Sequence, residues 1–135
     1  VDVEYIDQNL SQESLEMIAM KGYVYSNFVT ANGFVYIKMT RDVIEKYNVT
    51  DEQAASNVGL IGGIEGYPVW ALFMEYPNEI RIRLRSNGST IDKLVNQYGG
   101  GGHAKAAGCK LESWDQLDRF VKDAEAVVAA YKAGL

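Results

Sequence analysis

The sequence predicts an α/β fold: a small mixed β-sheet flanked by helices in a single domain. Three observations carry this. Strand-like and helix-like segments alternate along the chain; Val69 to Met74 is apolar nearly throughout, as a strand buried on both faces must be; and the last segment repeats its apolar residues at helical spacing.

Asn9 to Met20 carries Leu10, Leu15, Ile18 and Ala19 at helical spacing, with Ser11 as cap and Gly22 as stop. From Gly22 to Thr40 the period changes. Tyr23-Val24-Tyr25, Phe28-Val29 and Phe34-Val35-Tyr36-Ile37 are β-branched and aromatic, and Ala31-Asn32-Gly33 supplies a tight turn, so a hairpin is expected. Arg41 to Tyr47 reads as a short helix capped by Thr40, and Asp51 to Asn57 as another capped by Thr50. Gly59, Gly62, Gly63 and Gly66 mark a flexible crossover into the Val69 strand.

Glu79 to Arg85 alternates cleanly, with Ile80, Ile82 and Leu84 on one face and Arg81, Arg83 and Arg85 on the other. Asn87-Gly88 turns the chain into a helix over Thr90 to Tyr98, whose Ile91, Leu94, Val95 and Tyr98 face inward. After a glycine run, Cys109 to Leu111 reads as a short strand. In the final helix Ser113 and Gln116 form a capping box, and Trp114, Leu117, Phe120, Val121, Ala124, Val127, Val128 and Tyr131 make one apolar stripe.

A chain of 135 residues fits one domain able to bury most of its surface without cross-links. The lone cysteine, Cys109, excludes a disulfide framework and a cysteine-rich zinc site, and no apolar run reaches the ~20 residues of a membrane span. A formal charge of −5 opposes non-specific adhesion to polyanions, while leaving room for a local basic pocket. Composition thus points to a cytoplasmic globular domain, and the start on Val1 without a methionine points to a fragment.

Gly99 to Gly102, followed by His103-Ala104-Lys105-Ala106-Ala107-Gly108, is the segment with most to explain. Four consecutive glycines cost unfolded-state entropy, so a stable domain keeps them for a backbone need: positive φ, or close approach of a ligand to main-chain N–H groups. A single helical turn over His103 to Ala107, closed by Gly108, would aim such groups at an anion, phosphate above all. The Walker pattern fails because Lys105 follows alanine and Ala106 is neither Ser nor Thr; the dinucleotide pattern fails because a helix precedes it. The bland alternative is a tight connection between helix and strand.

The arginine row is the second constellation. Side by side on one face, Arg81, Arg83 and Arg85 repel one another unless anions bind or acids pair with them. Glu65, Glu75 and Glu79 are the available acids, and both readings stay open. Arginine suits phosphate because its planar fork bonds two oxygens at once.

Arg83-Leu84-Arg85-Ser86, a helix, and then Gly-Gly-Gly-Gly-His-x-x-Ala-Ala-Gly resemble the DHH-associated C-terminal domain of the DHH phosphoesterases, nearest to the bifunctional oligoribonuclease and pAp-phosphatase branch. The likeness covers about residues 22–125, making 22–135 the substrate-binding domain and 1–21 a linker helix entering it. The resemblance implies that Arg85 and Ser86 bind phosphate together with the N–H groups of Gly101 and Gly102. It makes His103 a catalytic hydrogen-bond donor to phosphate beside the scissile bond and Lys105 a further contact. Arg83 stands where the family more often has a small residue.

The family also implies manganese, held by an N-terminal domain with an Asp-His-His run that this chain lacks. The fragment alone is therefore expected to bind no metal and to be catalytically silent. Its expected partners are that missing domain and a small nucleotide or short oligoribonucleotide such as 3′-phosphoadenosine 5′-phosphate (pAp), with no membrane and an open oligomeric state. The alternatives are an RNA-binding module, as at the C-terminus of alanyl-tRNA synthetases, and an exopolyphosphatase-like or cyclic-dinucleotide domain. A stand-alone enzyme built on His103 with Cys109 or Ser89 is disfavoured, since Cys109 sits in an apolar strand context where thiols are inert. Tyr98 and Tyr67 are candidate stacking faces for a base.

Overall fold

The computed structural model describes residues 13–134; Leu10 and Ser11, the expected start of the first helix, lie outside them. Among the described residues five helices, α1 (Leu15–Asn27), α2 (Arg41–Lys46), α3 (Asp51–Ala55), α4 (Asp92–Gln97) and α5 (Leu117–Lys132), surround one six-stranded sheet. Its strands are β1 (Val29–Thr30), β2 (Phe34–Met39), β3 (Val69–Glu75), β4 (Ile80–Ser86), β5 (Gly101–His103) and β6 (Ala106–Leu111), in the spatial order β1-β2-β3-β4-β6-β5. Only β2 and β3 run parallel, so the sheet is mixed, as the alternating pattern predicts.

Helix α1 departs from the expected boundary. Its N-cap is Ser14, which accepts from the Met17 amide at 3.1 Å, and it runs on through Gly22 and the Tyr23-Val24-Tyr25 segment read as strand. Met20 and Val24, one turn apart, are fully buried against the sheet, and that tertiary burial outweighs local β preference. The hairpin is correspondingly shorter: β1 meets β2 through Val29↔Tyr36 and Thr30↔Val35, turning at Gly33 with φ 78°.

Caps at Thr40 and Thr50 stand as expected, the latter a full box with Gln53. The crossover is more ordered than its glycines suggest, because a 3-10 helix over Ser56–Ile61 continues α3 and buries Val58 and Ile61. At α5 the box is offset: Ser113 caps a 3-10 turn by accepting from Asp115 N, and Gln116 Oε1 accepts from Glu112 N at 2.6 Å.

The sheet has two unequal coverings. Helices α4 and α5 cover one face along its length, where Phe120 meets Phe34, Phe73 and Tyr98 with ring centroids 6.2, 5.6 and 4.9 Å away. Full burial of such a ring contributes about 1.5–3 kcal/mol. Helices α1 to α3 and the 3-10 helix cover the other face over β2 and β3 alone, on Val35, Ile37, Met39, Leu72 and Met74. Over β4, β6 and β5 nothing among the described residues covers that second face.

A candidate phosphate-binding face

Strand alternation decides what lies on the bare face. Ile80, Ile82, Leu84 and Ser86 point toward α4 and α5, so Arg81, Arg83 and Arg85 point away. Paired residues of an antiparallel ladder share a face, so the register extends this surface outward strand by strand. Arg85↔Ala106↔His103 forms one row, Arg83↔Gly108↔Gly101 the next, and Arg81↔Lys110 the third. Trp70 on β3 sits beside Arg85 at the border of the covered half.

The glycine run is a strand, not a helical turn. Gly101 to His103 form β5, Ala104–Lys105 make the turn, and Ala106 onward returns as β6, a strand three residues longer at its start than expected. The pairing of His103 with Ala106 closes a tight hairpin, and that ladder replaces the i→i+4 bonds a helical turn would need. The hairpin is tied at both ends. At its tip the Lys105 carbonyl accepts from Ser86 N at 2.9 Å, and that of Ala104 from Ile91 N at 3.1 Å. At its base Gly100 N donates to Val95 O at 2.9 Å and Lys110 N to Tyr98 O at 3.3 Å. As the outermost strand, β5 is paired on one side only, leaving main-chain groups on its free edge.

The four glycines answer to different needs. Gly99 has φ 71° and Gly102 φ 142°. A Cβ on Gly100 would strike the Gly108 carbonyl oxygen and come within 2.6 Å of Cys109 Cα; one on Gly102 would come within 2.6 Å of Ala107 Cα. Gly101 has neither constraint, since its φ is not positive and nothing lies within 4 Å of a Cβ there. Across the ladder Gly108 meets only ordinary contact, with Ile82 O at 3.5 Å. The fold therefore does not require glycine at 101 or 108, and their bare Cα atoms floor the open face.

The charge of that face is largely uncompensated. Arg81 is bound by Glu79 at 2.6 Å, and Lys110 stands 3.9 Å from the same carboxylate. Arg85 donates to the Leu84 carbonyl at 3.0 Å and Arg83 has no hydrogen-bond or ion-pair partner among the described residues, so the acids expected to neutralise the row reach only its end. Glu75 is occupied by Arg41 N and Trp114 Nε1 instead. Burial, aided by repulsion from Arg83, lowers the pKa of the Arg85 guanidinium from its ordinary value. An anion would relieve both strains. Arg81, Arg83, Gly99, Gly100, Gly108 and Lys110 are among the residues lining a groove of about 390 Å³ on this face.

Of the residues singled out in the sequence, Arg85, Gly101 and His103 share the bare face, Gly102 belongs to its edge strand, and Lys105 stands exposed at the hairpin tip. Ser86 does not join them. It is buried on the opposite face, its hydroxyl donating to Ser89 O at 2.6 Å and accepting from Gly88 N at 3.2 Å, so it shapes the loop after β4. Tyr98 is half-buried, packed edge-on against Phe120 and tied by a 2.6 Å hydrogen bond to Asp123, and Tyr67 is half-buried beside another cavity; neither belongs to the register rows of the bare face. Lys110 and Gly108 were not singled out as face residues, because their place depends on the β4–β6 register. Cys109 is buried, and desolvation pushes its thiol up to about 12.

Residues 31–130 match the DHHA1 domain. The chain belongs to that family. It is 35% identical over 117 residues to the bifunctional oligoribonuclease and PAP phosphatase NrnA of Bacillus subtilis, covering 86% of this chain and 37% of that protein. The DHHA1 fold recurs in an exopolyphosphatase-related protein from Bacteroides fragilis, with TM-score 0.78 and 19% identity over 96% of this chain and 41% of the other. It recurs again in the C-Ala domain of Aquifex aeolicus alanyl-tRNA synthetase, with TM-score 0.53 and 13% identity over 75% of this chain and 96% of that domain. The chain thus spans well under half the length of the curated relatives it matches. Among the described residues, no three His, Cys, Asp or Glu side chains come together as metal ligands, and no helix is long and apolar enough to cross a membrane.

Proposed function

We propose that this DHHA1 domain is the substrate-binding half of a cytoplasmic, metal-dependent phosphoesterase acting on short oligoribonucleotides, pAp or related small phosphorylated nucleotides. The observation that carries this reading is the glycine at position 101. It stands where the fold has no use for glycine, on a face where Arg85 and His103 share one register row. A missing side chain beside a convergent cation and ring N–H groups fits an approaching phosphate.

In this reading the Arg85 guanidinium holds the phosphate, the Gly101–Gly102 segment adds one outward-facing main-chain amide, since successive amides of an antiparallel strand alternate sides, and His103 donates beside the scissile bond. Lys105 contributes charge from the tip, while Ser86 acts through the loop it shapes. The manganese ions that would activate water in this class of reaction belong, in this reading, to the DHH domain of the parent enzyme.

The test is an NMR titration of the 135-residue chain with pAp. Shifts centred on Gly101, Gly102, His103 and Arg85 are expected. No shifts at millimolar ligand, or shifts confined to the opposite face, would overturn the assignment.

A further inference from the structure

The three register rows of the bare face repeat every second residue of β4, a rise of about 7 Å. That is close to the separation of two phosphates attached to one ribose through its 3′ and 5′ oxygens. It is also the separation of neighbouring phosphates along an extended single strand. Row one holds Arg85 and His103. Row two holds Arg83, facing Gly108 and Gly101, and it combines a cation with no acid paired to it among the described residues with the barest floor on the face. Row three holds Arg81 and Lys110, and there Glu79 binds the arginine and approaches the lysine.

Building on the phosphate site described above, we propose that Arg83 forms a second phosphate subsite one ribose away from Arg85, so that the domain selects ligands with two phosphates across a single ribose. This unit is common to pAp and to the end of a 5′-phosphorylated oligoribonucleotide, so a single arrangement serves both. Glu79 weakens the far end: it offsets one of the two positive charges of row three, so a third phosphate meets a poorer site than the first two, which favours short ligands.

Two features separate this subsite from a merely solvated arginine. An arginine that needed only solvent would gain nothing from a floor stripped of Cβ atoms at both Gly108 and Gly101. In addition, Arg83 and Arg85 stand two residues apart on one face; burial first and the Arg83 charge second lower the pKa of Arg85, a cost that bound phosphates reduce.

The test is isothermal titration of the 135-residue chain with adenosine 5′-monophosphate, pAp and a 5′-phosphorylated tetranucleotide. Wild type, Arg83→Gln and Glu79→Gln are compared, with circular dichroism confirming that each variant is folded. Wild type is expected to bind pAp at least tenfold more tightly than the monophosphate, as a further charged hydrogen bond supplies. Arg83→Gln is expected to lose that preference, with the monophosphate affected less than twofold, and Glu79→Gln to strengthen the tetranucleotide several-fold over pAp. Equal affinity for the monophosphate and pAp in wild type, or an intact preference in Arg83→Gln, would overturn the second subsite while leaving the first standing. Failure of all three ligands to bind would instead overturn the underlying phosphate site.

Discussion

Two adjacent glycines should respond in opposite directions to the same added methyl. In Gly100→Ala the new Cβ meets the Gly108 carbonyl oxygen and Cys109 Cα, backbone atoms of β6 that no rotamer change can move aside. Relief requires the β5–β6 hairpin to shift, and forced overpacking of this kind costs about 1–3 kcal/mol, here the upper end. For a chain of this length that corresponds to a fall in Tm of roughly 10 °C. In Gly101→Ala the methyl enters open space on a backbone without positive φ. Loss of unfolded-state freedom should then stabilise by about 0.4–1 kcal/mol, a rise of roughly 2–4 °C. The same methyl sits on the floor of the open face and should weaken pAp binding at least tenfold, the worth of about one charged hydrogen bond. Thermal melts by circular dichroism paired with calorimetric titration read both effects. If Gly101→Ala melts as low as Gly100→Ala, glycine is demanded there by the fold and the argument for a ligand collapses; undiminished affinity would refute it equally.

Glu75 predicts an acid dependence. Its carboxylate accepts from Arg41 N at 2.8 Å and from Trp114 Nε1 at 2.6 Å, and these bonds, the first above all, hold its pKa below the ordinary 4.5. A depressed folded pKa means stability that is present above the ordinary value and lost as pH falls through the folded one. Melting temperature between about pH 5 and pH 2.5 should therefore drop more steeply for wild type than for Glu75→Gln; parallel curves would show that the two bonds carry no protonation-linked stability. Cys109, with its thiol pushed up to about 12 and its side chain buried, should resist a disulfide reagent at pH 8 until denaturant is added. Prompt labelling of the native chain would mean that β6 opens readily.

The sequence makes the strongest elements legible because their patterns are periodic and their caps local. The Ile80–Leu84 alternation, the apolar β3 run, the Thr50 cap and the α5 stripe all depend on neighbours within a few positions. What it hides depends on partners far along the chain. Tyr23 to Tyr25 looks like a strand until Met20 and Val24 find a core to enter. Glycines cannot declare whether they line a helical turn or a strand, since they permit both, and only the pairing Gly101↔Gly108 resolves the choice. At the site, the Arg85 and His103 candidates are visible from residue chemistry. Lys110, Gly108 and the departure of Ser86 emerge only from register, which no local pattern encodes.

The anchoring of the hairpin has a consequence for timing. Four glycines in a free loop would have to be immobilised by each ligand that arrives, and that ordering would be subtracted from every binding event. Here Val95, Tyr98, Ser86 and Ile91 hold the segment at base and tip once the domain has folded. The backbone is thus arranged before any phosphate approaches, and a ligand as small as one nucleotide can use nearly all of its few contacts for affinity.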